Sequence, residues 1–187
     1  FYTRTPLINQ NKKITFYGSS SYDFNQRTNK QSALFEYSAS KWAMLQYVSY
    51  ASFGDIVMGK RRPHGYDNWG RVDAYSENTS SNFTMAPTPN TDTNKQYNSG
   101  YEQVDLLQKW VYHSNTGLKF TFNMQGSISG NIPRFDKLSE KQDGALRFAR
   151  WEYGPQKRWL ISPQVKFIGN RSWLQSGKII AAAQFLE

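Results

Sequence analysis

Between Leu118 and Ser127 the side chains change character at every step: Leu118, Phe120, Phe122 and Met124 fall on one side, Lys119, Thr121, Asn123, Gln125 and Ser127 on the other. Successive side chains of an extended strand point to opposite faces, so a period of two marks a strand whose faces meet different surroundings. The same period recurs upstream, where Val104, Leu106, Trp110 and Tyr112 oppose Asp105, Lys109 and His113. It recurs downstream too, with Trp159, Ile161, Val165 and Phe167 against Arg158, Ser162, Gln164 and Lys166. Pro163 falls on the apolar side and lacks an N–H, which predicts a bulge or local weakness there. Weaker strands are expected over Ile14 to Tyr22, Ala33 to Ala39, Trp42 to Val57 and Trp173 to Phe185. No stretch shows a helical period of comparable quality; only Leu138 to Trp151 has the Ala, Leu, Arg and Glu mixture of a short helix, inside a loop.

The connections carry the second constraint. Asn115-Thr116-Gly117 reads as a three-residue hairpin loop with Gly117 in the left-handed conformation. That turn sets Tyr112 against Phe120 and Trp110 against Phe122, with His113 against Lys119 and Lys109 against Asn123; a two-residue loop would oppose aromatics to lysines. Along the chain the connections run long (Asp23 to Lys30), short (Ser40-Lys41), very long (Gly59 to Tyr101), short (Asn115 to Gly117), long (Ile128 to Gln156) and short (Gly169 to Ser172). In an up-and-down meander this gathers every short turn at one end, as in outer-membrane barrels. Val104 to His113 and Leu118 to Ser127 each have about the ten residues a tilted strand needs to cross hydrocarbon. The expected fold is therefore all-β, an antiparallel up-and-down meander of about seven to eight strands forming part of a large transmembrane β-barrel. Trp110, Tyr112, Phe120, Trp159, Phe167 and Trp173 are placed near the short-turn ends, where an interfacial aromatic girdle belongs. The alternative is a soluble β-barrel or β-sandwich binding module with these aromatics packed inward.

Composition fits this division. Of 187 residues, 12 are Phe, 12 Tyr and 6 Trp, yet mean hydropathy is only −0.73, as expected when alternate residues face lipid. The aromatics exclude a disordered chain, and no apolar run approaches the roughly 20 residues of a membrane helix. With no cysteine, disulfide scaffolds, thiolate metal sites and cysteine nucleophiles are excluded. Phe1 to Pro6 lacks the order of a signal peptide, and the chain stops within the alternating stretch Ala181 to Glu187, so it reads as a piece of a longer protein.

Several segments resemble the barrel of TonB-dependent outer-membrane receptors, particularly those of Bacteroidetes-type bacteria. Phe1-Tyr2-Thr3-Arg4-Thr5-Pro6 is similar to the exit from the plug domain into the first barrel strand. Asp55 to Lys60, Ser99 to Leu106, Asn131 to Leu138 and Glu152 to Arg158 are similar, in order and spacing, to consecutive later segments. The resemblance implies a plugged barrel of roughly 22 strands, of which residues 1–187 would be the first part. It also implies a bacterial outer-membrane location and active uptake of a scarce nutrient, such as a ferric siderophore or haem. Its implied partners are the plug domain and remaining strands, the TonB complex acting through the plug, and outer-membrane lipid and lipopolysaccharide. The plug and the terminal strand, which usually ends in an aromatic residue, are not among these residues.

The first very long connection holds Arg61, Arg62, His64, Tyr66, Trp69 and Arg71, cations interleaved with rings that suit capture of an anionic ligand by charge and stacking. An equally simple reading is a solvated cationic loop facing lipopolysaccharide phosphates. The second long connection adds Arg134, Lys137, Arg147 and Arg150, unless internal ion pairs such as Asp136 with Arg147 use these charges to stiffen the loop. Asp105, Lys109, Lys119 and Lys166 read as inner-wall residues that pair with the plug or with water, since buried charges require such partners. His64 alone is weak evidence of a haem ligand, and His113 lies at the other end of the sheet, so no metal site or cofactor is expected. Charges spread over strands and loops do not support a nucleic-acid surface. Without a phosphate loop, a nucleophile elbow or a histidine near Ser19-Ser20-Ser21, no enzyme is expected. The acceptor patterns Asn78-Thr79-Ser80, Asn82-Phe83-Thr84 and Asn170-Arg171-Ser172 recur by chance in such loops.

Overall fold

A computed structural model describes residues 3–77, 86–171 and 174–187. Phe1 and Tyr2, both acceptor patterns between Asn78 and Thr84, Ser172 and the expected girdle residue Trp173 lie outside the described residues. One antiparallel sheet of eight strands dominates: β1 (Lys13–Asp23), β2 (Thr28–Ser38), β3 (Trp42–Phe53), β4 (Tyr101–His113), β5 (Lys119–Ser129), β6 (Lys157–Arg171), β7 (Leu174–Ile180) and β8 (Ala183–Leu186). Each strand from β1 to β7 pairs with the next in sequence, and β8 pairs with β6 beside β7, so the meander is open at both edges.

Pro163 accounts for the division of the last strand. β7 and β8 keep one register on β6, with Gln164 opposite Ile180 and Ile161 opposite Ala183. The Pro163 carbonyl accepts the Ala181 N–H at 3.1 Å, but the proline has no N–H to return, and the ladder lapses at Ala181 and Ala182. Towards β5 the register is regular, Pro163 facing Phe122. The expected weakness therefore appears in the neighbouring strand rather than as a bulge in β6.

The β4–β5 hairpin has the expected register, with Tyr112 opposite Phe120, Trp110 opposite Phe122, His113 opposite Lys119 and Lys109 opposite Asn123. Gly117 takes φ +80°, a conformation that opposes a side chain, and Ser114 N–H closes the loop on the Leu118 carbonyl at 2.9 Å. The first connection corrects the expectation of a long loop from Asp23 to Lys30. β2 already begins at Thr28, because ladder bonds need backbone groups and not apolar side chains, and Asp23 Oδ1 accepts the Asn25 and Gln26 N–H groups to close the turn. The helix expected over Leu138 to Trp151 is also corrected. One helical turn spans Phe135–Leu138, and Lys141–Gln142 pairs with Ala145–Leu146 around Asp143 (φ +52°) and Gly144 (φ +82°). An Asp-Gly pair favours two consecutive positive φ values, so local turn chemistry overrides helix propensity.

Residues paired directly across strands share a face. Trp42, Tyr112, Phe120 and Val165 thus form one row, Tyr37, Met44, Trp110, Phe122 and Pro163 form the next, and Phe35 lies on the same face. No described residue covers this face: Phe120 and Phe122 are each 39% exposed, Trp110 42% and Phe16 67%. Near the short turns Trp42 packs between Tyr37 and Trp110, with centroids 4.6 and 5.8 Å away. Trp159 is a correction, since it faces Gly126 and Phe185 at the long-connection end of the sheet.

The opposite face is polar and holds what core there is. Leu45, Ala43, Val111, Lys109 and Asn123 are buried there. The segment Thr3 to Asn9 is held along this face: Lys109 Nζ donates to the Thr3 carbonyl (3.0 Å) and hydroxyl (2.6 Å), Arg4 pairs with Glu36 at 2.6 Å, and Asn9 N–H reaches the Ala39 carbonyl. Pro6 is fully buried. The buried ammonium is thereby supplied with acceptors, as a charge removed from water requires.

Candidate functional site

The connection from β3 to β4 is a folded excursion and not a free loop. Ile56–Val57 pairs with Lys95–Gln96, and Ala74–Tyr75 with Thr88–Pro89. At its base Asp55 pairs with Lys95 at 3.2 Å and accepts the Ser99 and Gly100 N–H groups. At its centre the buried Asn90 amide donates to the carbonyls of Val72 (2.8 Å) and Lys95 (2.9 Å), tying distant parts of the excursion together. Tyr75 stacks on Tyr97 at 4.3 Å, and Lys95 Nζ lies 4.0 Å from the Tyr97 ring. Sequence reading missed Asp55 and Asn90. The Asn/Asp-rich run Pro89 to Asn94, typical of side-chain-capped turns, was the available signal.

This frame carries the predicted cationic and aromatic segment. Consecutive turns, Gly65 N–H to Arg62 O, Trp69 N–H to Tyr66 O and Arg71 N–H to Asn68 O, fold residues 62–71 into a compact knob. His64 lies between two rings, stacked on Tyr66 (5.7 Å, 29°) and edge-on to Trp69 (5.6 Å, 71°). Tyr66 and Trp69 remain 71% and 65% exposed, so the three rings present a platform outward. His64 Nδ1 accepts the Tyr66 N–H at 3.1 Å, which in the neutral ring leaves the proton on Nε2. Arg61 and Arg71 are exposed at either end of the knob. Arg62 is turned inward, donating to the carbonyls of Lys60 and Trp69 and to Asn94 Oδ1 (2.6 Å). Its role is to fasten the knob. Among the described residues no three His, Cys, Asp or Glu side chains converge as metal ligands.

The second long connection resolves differently. Arg134 pairs with Asp136 at 2.9 Å, Arg147 and Lys137 both pair with Glu140, and Arg150 pairs with Glu152. Internal ion pairing is thus how the loop uses all four of its candidate cations, although Arg147 takes Glu140 and not the expected Asp136. Asn131 Nδ2 also donates to Glu152 at 2.8 Å, and Arg134 donates to the Tyr153 hydroxyl. Hydrogen bonds from Lys137 and Arg147 hold the Glu140 carboxyl below its usual range, and the Arg134 guanidinium does the same for Asp136.

A carboxyl with a depressed folded-state pKa contributes stability that is complete above its unfolded value, about 4.3 for Glu, and is lost as pH falls through the folded value. Amide protection over residues 137–147, corrected for intrinsic exchange, should therefore stay level from neutral pH to about 5 and fall below about 4. Glu140→Gln should show reduced protection at neutral pH and little dependence below it. A wild-type loop equally protected at pH 3 would contradict the ion-paired arrangement.

Comparison with protein-family profiles, with characterised proteins and with solved structures finds no match to this chain.

Proposed function

We propose that the chain is part of an outer-membrane receptor of the TonB-dependent type, taking up a scarce nutrient through a barrel of which this sheet is one wall. One observation carries the reading: a single-layer antiparallel meander with an uncovered apolar face, a polar opposite face and its two large excursions at the same end. A soluble module would bury Trp110, Tyr112, Phe120 and Phe122 beneath a second layer, and no described residue provides one. In lipid an open edge is not tolerated, so the reading requires further strands to close the sheet. A plug inside it, coupled to the TonB complex, would gate passage, and lipid and lipopolysaccharide would surround it. On this reading the protein is a carrier and not an enzyme.

The excursion knob is the outward binding element of this proposal. Tyr66, His64 and Trp69 offer flat rings, and Arg61 and Arg71 add positive charge, a combination that fits a planar, anionic cargo such as a ferric chelate or haem. The loop of Arg134, Lys137, Arg147 and Arg150 contributes shape, because each of these cations is already engaged in an ion pair. Removing two exposed aromatic anchors commonly costs more than tenfold in affinity. Tyr66→Ala with Trp69→Ala, in the full-length protein, should weaken binding of haemin or a ferric tris-catecholate at least about tenfold, read by fluorescence quenching. Arg150→Gln should change it little.

The membrane reading has a direct test, since the chain has no cysteine. Phe120→Cys and Thr121→Cys, each carrying an environment-sensitive fluorophore, are compared in the full-length protein reconstituted in vesicles. Label at 120 should emit in the blue and be quenched by lipids brominated along their acyl chains, whereas label at 121 should not. Equal emission and no lipid quenching at 120 would exclude the transporter reading.

A further inference from the structure

On the apolar face Gln46 stands directly opposite Gln108, in a row that Phe35 and Met124 continue on either side. The adjoining pairs on this face are Met44 with Trp110 and Val48 with Leu106, and beyond them lie Trp42 with Tyr112 and Tyr50 with Val104. Two amides side by side thus occupy the middle of a surface that is otherwise hydrocarbon and rings. Neither side chain forms a hydrogen bond among the described residues, and Gln108 Nε2 is buried without a partner. Gln46 is exposed.

On the membrane reading proposed above, from which this inference starts, the surface meets acyl chains. These neither donate nor accept, so an amide left among them gives up hydrogen bonds that nothing there replaces. Each glutamine side chain carries two N–H donors and a carbonyl acceptor, and a neighbour that satisfies the pair must bring both kinds of group to the same depth. A second copy does so by construction. Copies inserted with one orientation can be related by a two-fold axis along the membrane normal, which brings residues of equal depth together. Gln46 of one copy then meets Gln108 of the other, and the reverse contact follows from the symmetry.

We infer that the Gln46 and Gln108 pair is the centre of a contact with a second copy of this chain inside the bilayer. Across it each amide donates to the carbonyl oxygen of the other, and a swing of the Gln108 side chain exchanges its unpaired, buried N–H for a partner. The surroundings suit the same axis. On the β1 side small residues leave a shallow recess of about 690 Å³ whose lining includes Phe16, Gly18, Ala33 and Val48. On the β4 side the Trp110 indole is exposed. A two-fold through the glutamine pair sets the β4 side of one copy against the β1 side of the other, so a projecting side faces a recessed one. An unrelated membrane segment is the poorer occupant, because it would need a polar side chain of its own at this depth.

The test uses the full-length protein in its own membrane, carrying Val48→Cys as its sole cysteine, which leaves both amides in place. A short bismaleimide should join two copies into a species of twice the monomer mass. Ala183→Cys, on the same face but four strands from Gln46, should give several-fold less. Adding Gln46→Leu and Gln108→Leu to Val48→Cys should reduce the yield several-fold, whereas adding Gln125→Leu, on the polar face, should leave it unchanged. The proposal is overturned if Val48→Cys gives no dimer, if it joins a different protein, if Ala183→Cys crosslinks as well, or if the yield ignores loss of the amides. The two cysteine variants decide the first three outcomes whatever the leucine variants' folding. A fluorophore on Ala183→Cys separates the two readings: quenching by lipids brominated along their acyl chains, without a dimer at Val48→Cys, sinks this inference alone, whereas no quenching sinks the membrane reading and this inference with it.

Discussion

In the proposed membrane-inserted barrel, Ile161→Arg is expected to destabilise the protein by about 2–4 kcal/mol, the cost of an arginine on the lipid face near mid-bilayer. Ile161 stands in the middle of the apolar face, between Met124 on β5 and Ala183 on β8, well away from either end of its strands. The guanidinium finds no carboxylate there and must draw water or headgroups inward. Gln125→Arg provides the control, because Gln125 faces Leu107 and Leu160 on the polar side. There the charge should cost less than about 1 kcal/mol, as expected of a substitution away from buried features. Urea titration of the protein folded in vesicles measures both. Equal costs for the two would mean that the faces do not differ in their surroundings, and the lipid-facing assignment would fail with them.

Gly126→Val should disrupt the sheet at a cost of about 1–3 kcal/mol, the usual range for overpacking. Gly126 is buried beneath the Trp159 ring on the facing strand, and a β-carbon there would stand 2.6, 2.8 and 2.9 Å from three of its ring carbons. The indole lies flat over the glycine, so a methyl group must lift the whole ring away from the sheet. Phe167 lies over Gly177 in the same way, with the nearest ring carbon 2.2 Å from a β-carbon position. A broadened, shifted tryptophan emission would report the lifted ring. Combining Gly126→Val with Trp159→Leu should recover most of the lost stability, because a flexible leucine can turn aside. If the pair of substitutions loses the sum of the two single effects, the contact is not what makes Gly126 necessary.

How far the fold was legible depended on whether its cause was local. The hairpin register at Asn115 to Gly117 could be read because Gly117 fixes the turn and every slip would mix aromatics with lysines. The strand Thr28–Ser38 was read five residues too short, because Thr28 to Ser32 are polar on both faces and hold their place through backbone bonds to Ser19 to Asp23. Pro163 signalled a defect correctly, but its missing N–H points toward β7 and β8, so the defect is seen in the partner and not in β6. Trp159 was assigned to the wrong end because alternation gives a residue its face and not its height along the strand.

The candidate site divides in the same manner. Tyr66, His64 and Trp69 could be singled out from composition, and the structure brings them together into one exposed platform. Arg62 had the same signature, yet the excursion uses it as a fastener to Asn94. The cations Arg134, Lys137, Arg147 and Arg150 proved to be structural because Asp136, Glu140 and Glu152 lie within reach, a matter of loop path that charge counting does not reveal.

What the sequence determined alone was the two-faced character of the sheet. Side-chain direction in a strand alternates by covalent geometry, so a period of two assigns each residue to a face before any fold exists. Only the tertiary structure decided which charges stand opposite which. Lys119, Lys166 and Lys178 are 47 and 12 positions apart along the chain and meet because three strands share a register. Such pairing is set by turns and ladders acting together, and no window of sequence contains it.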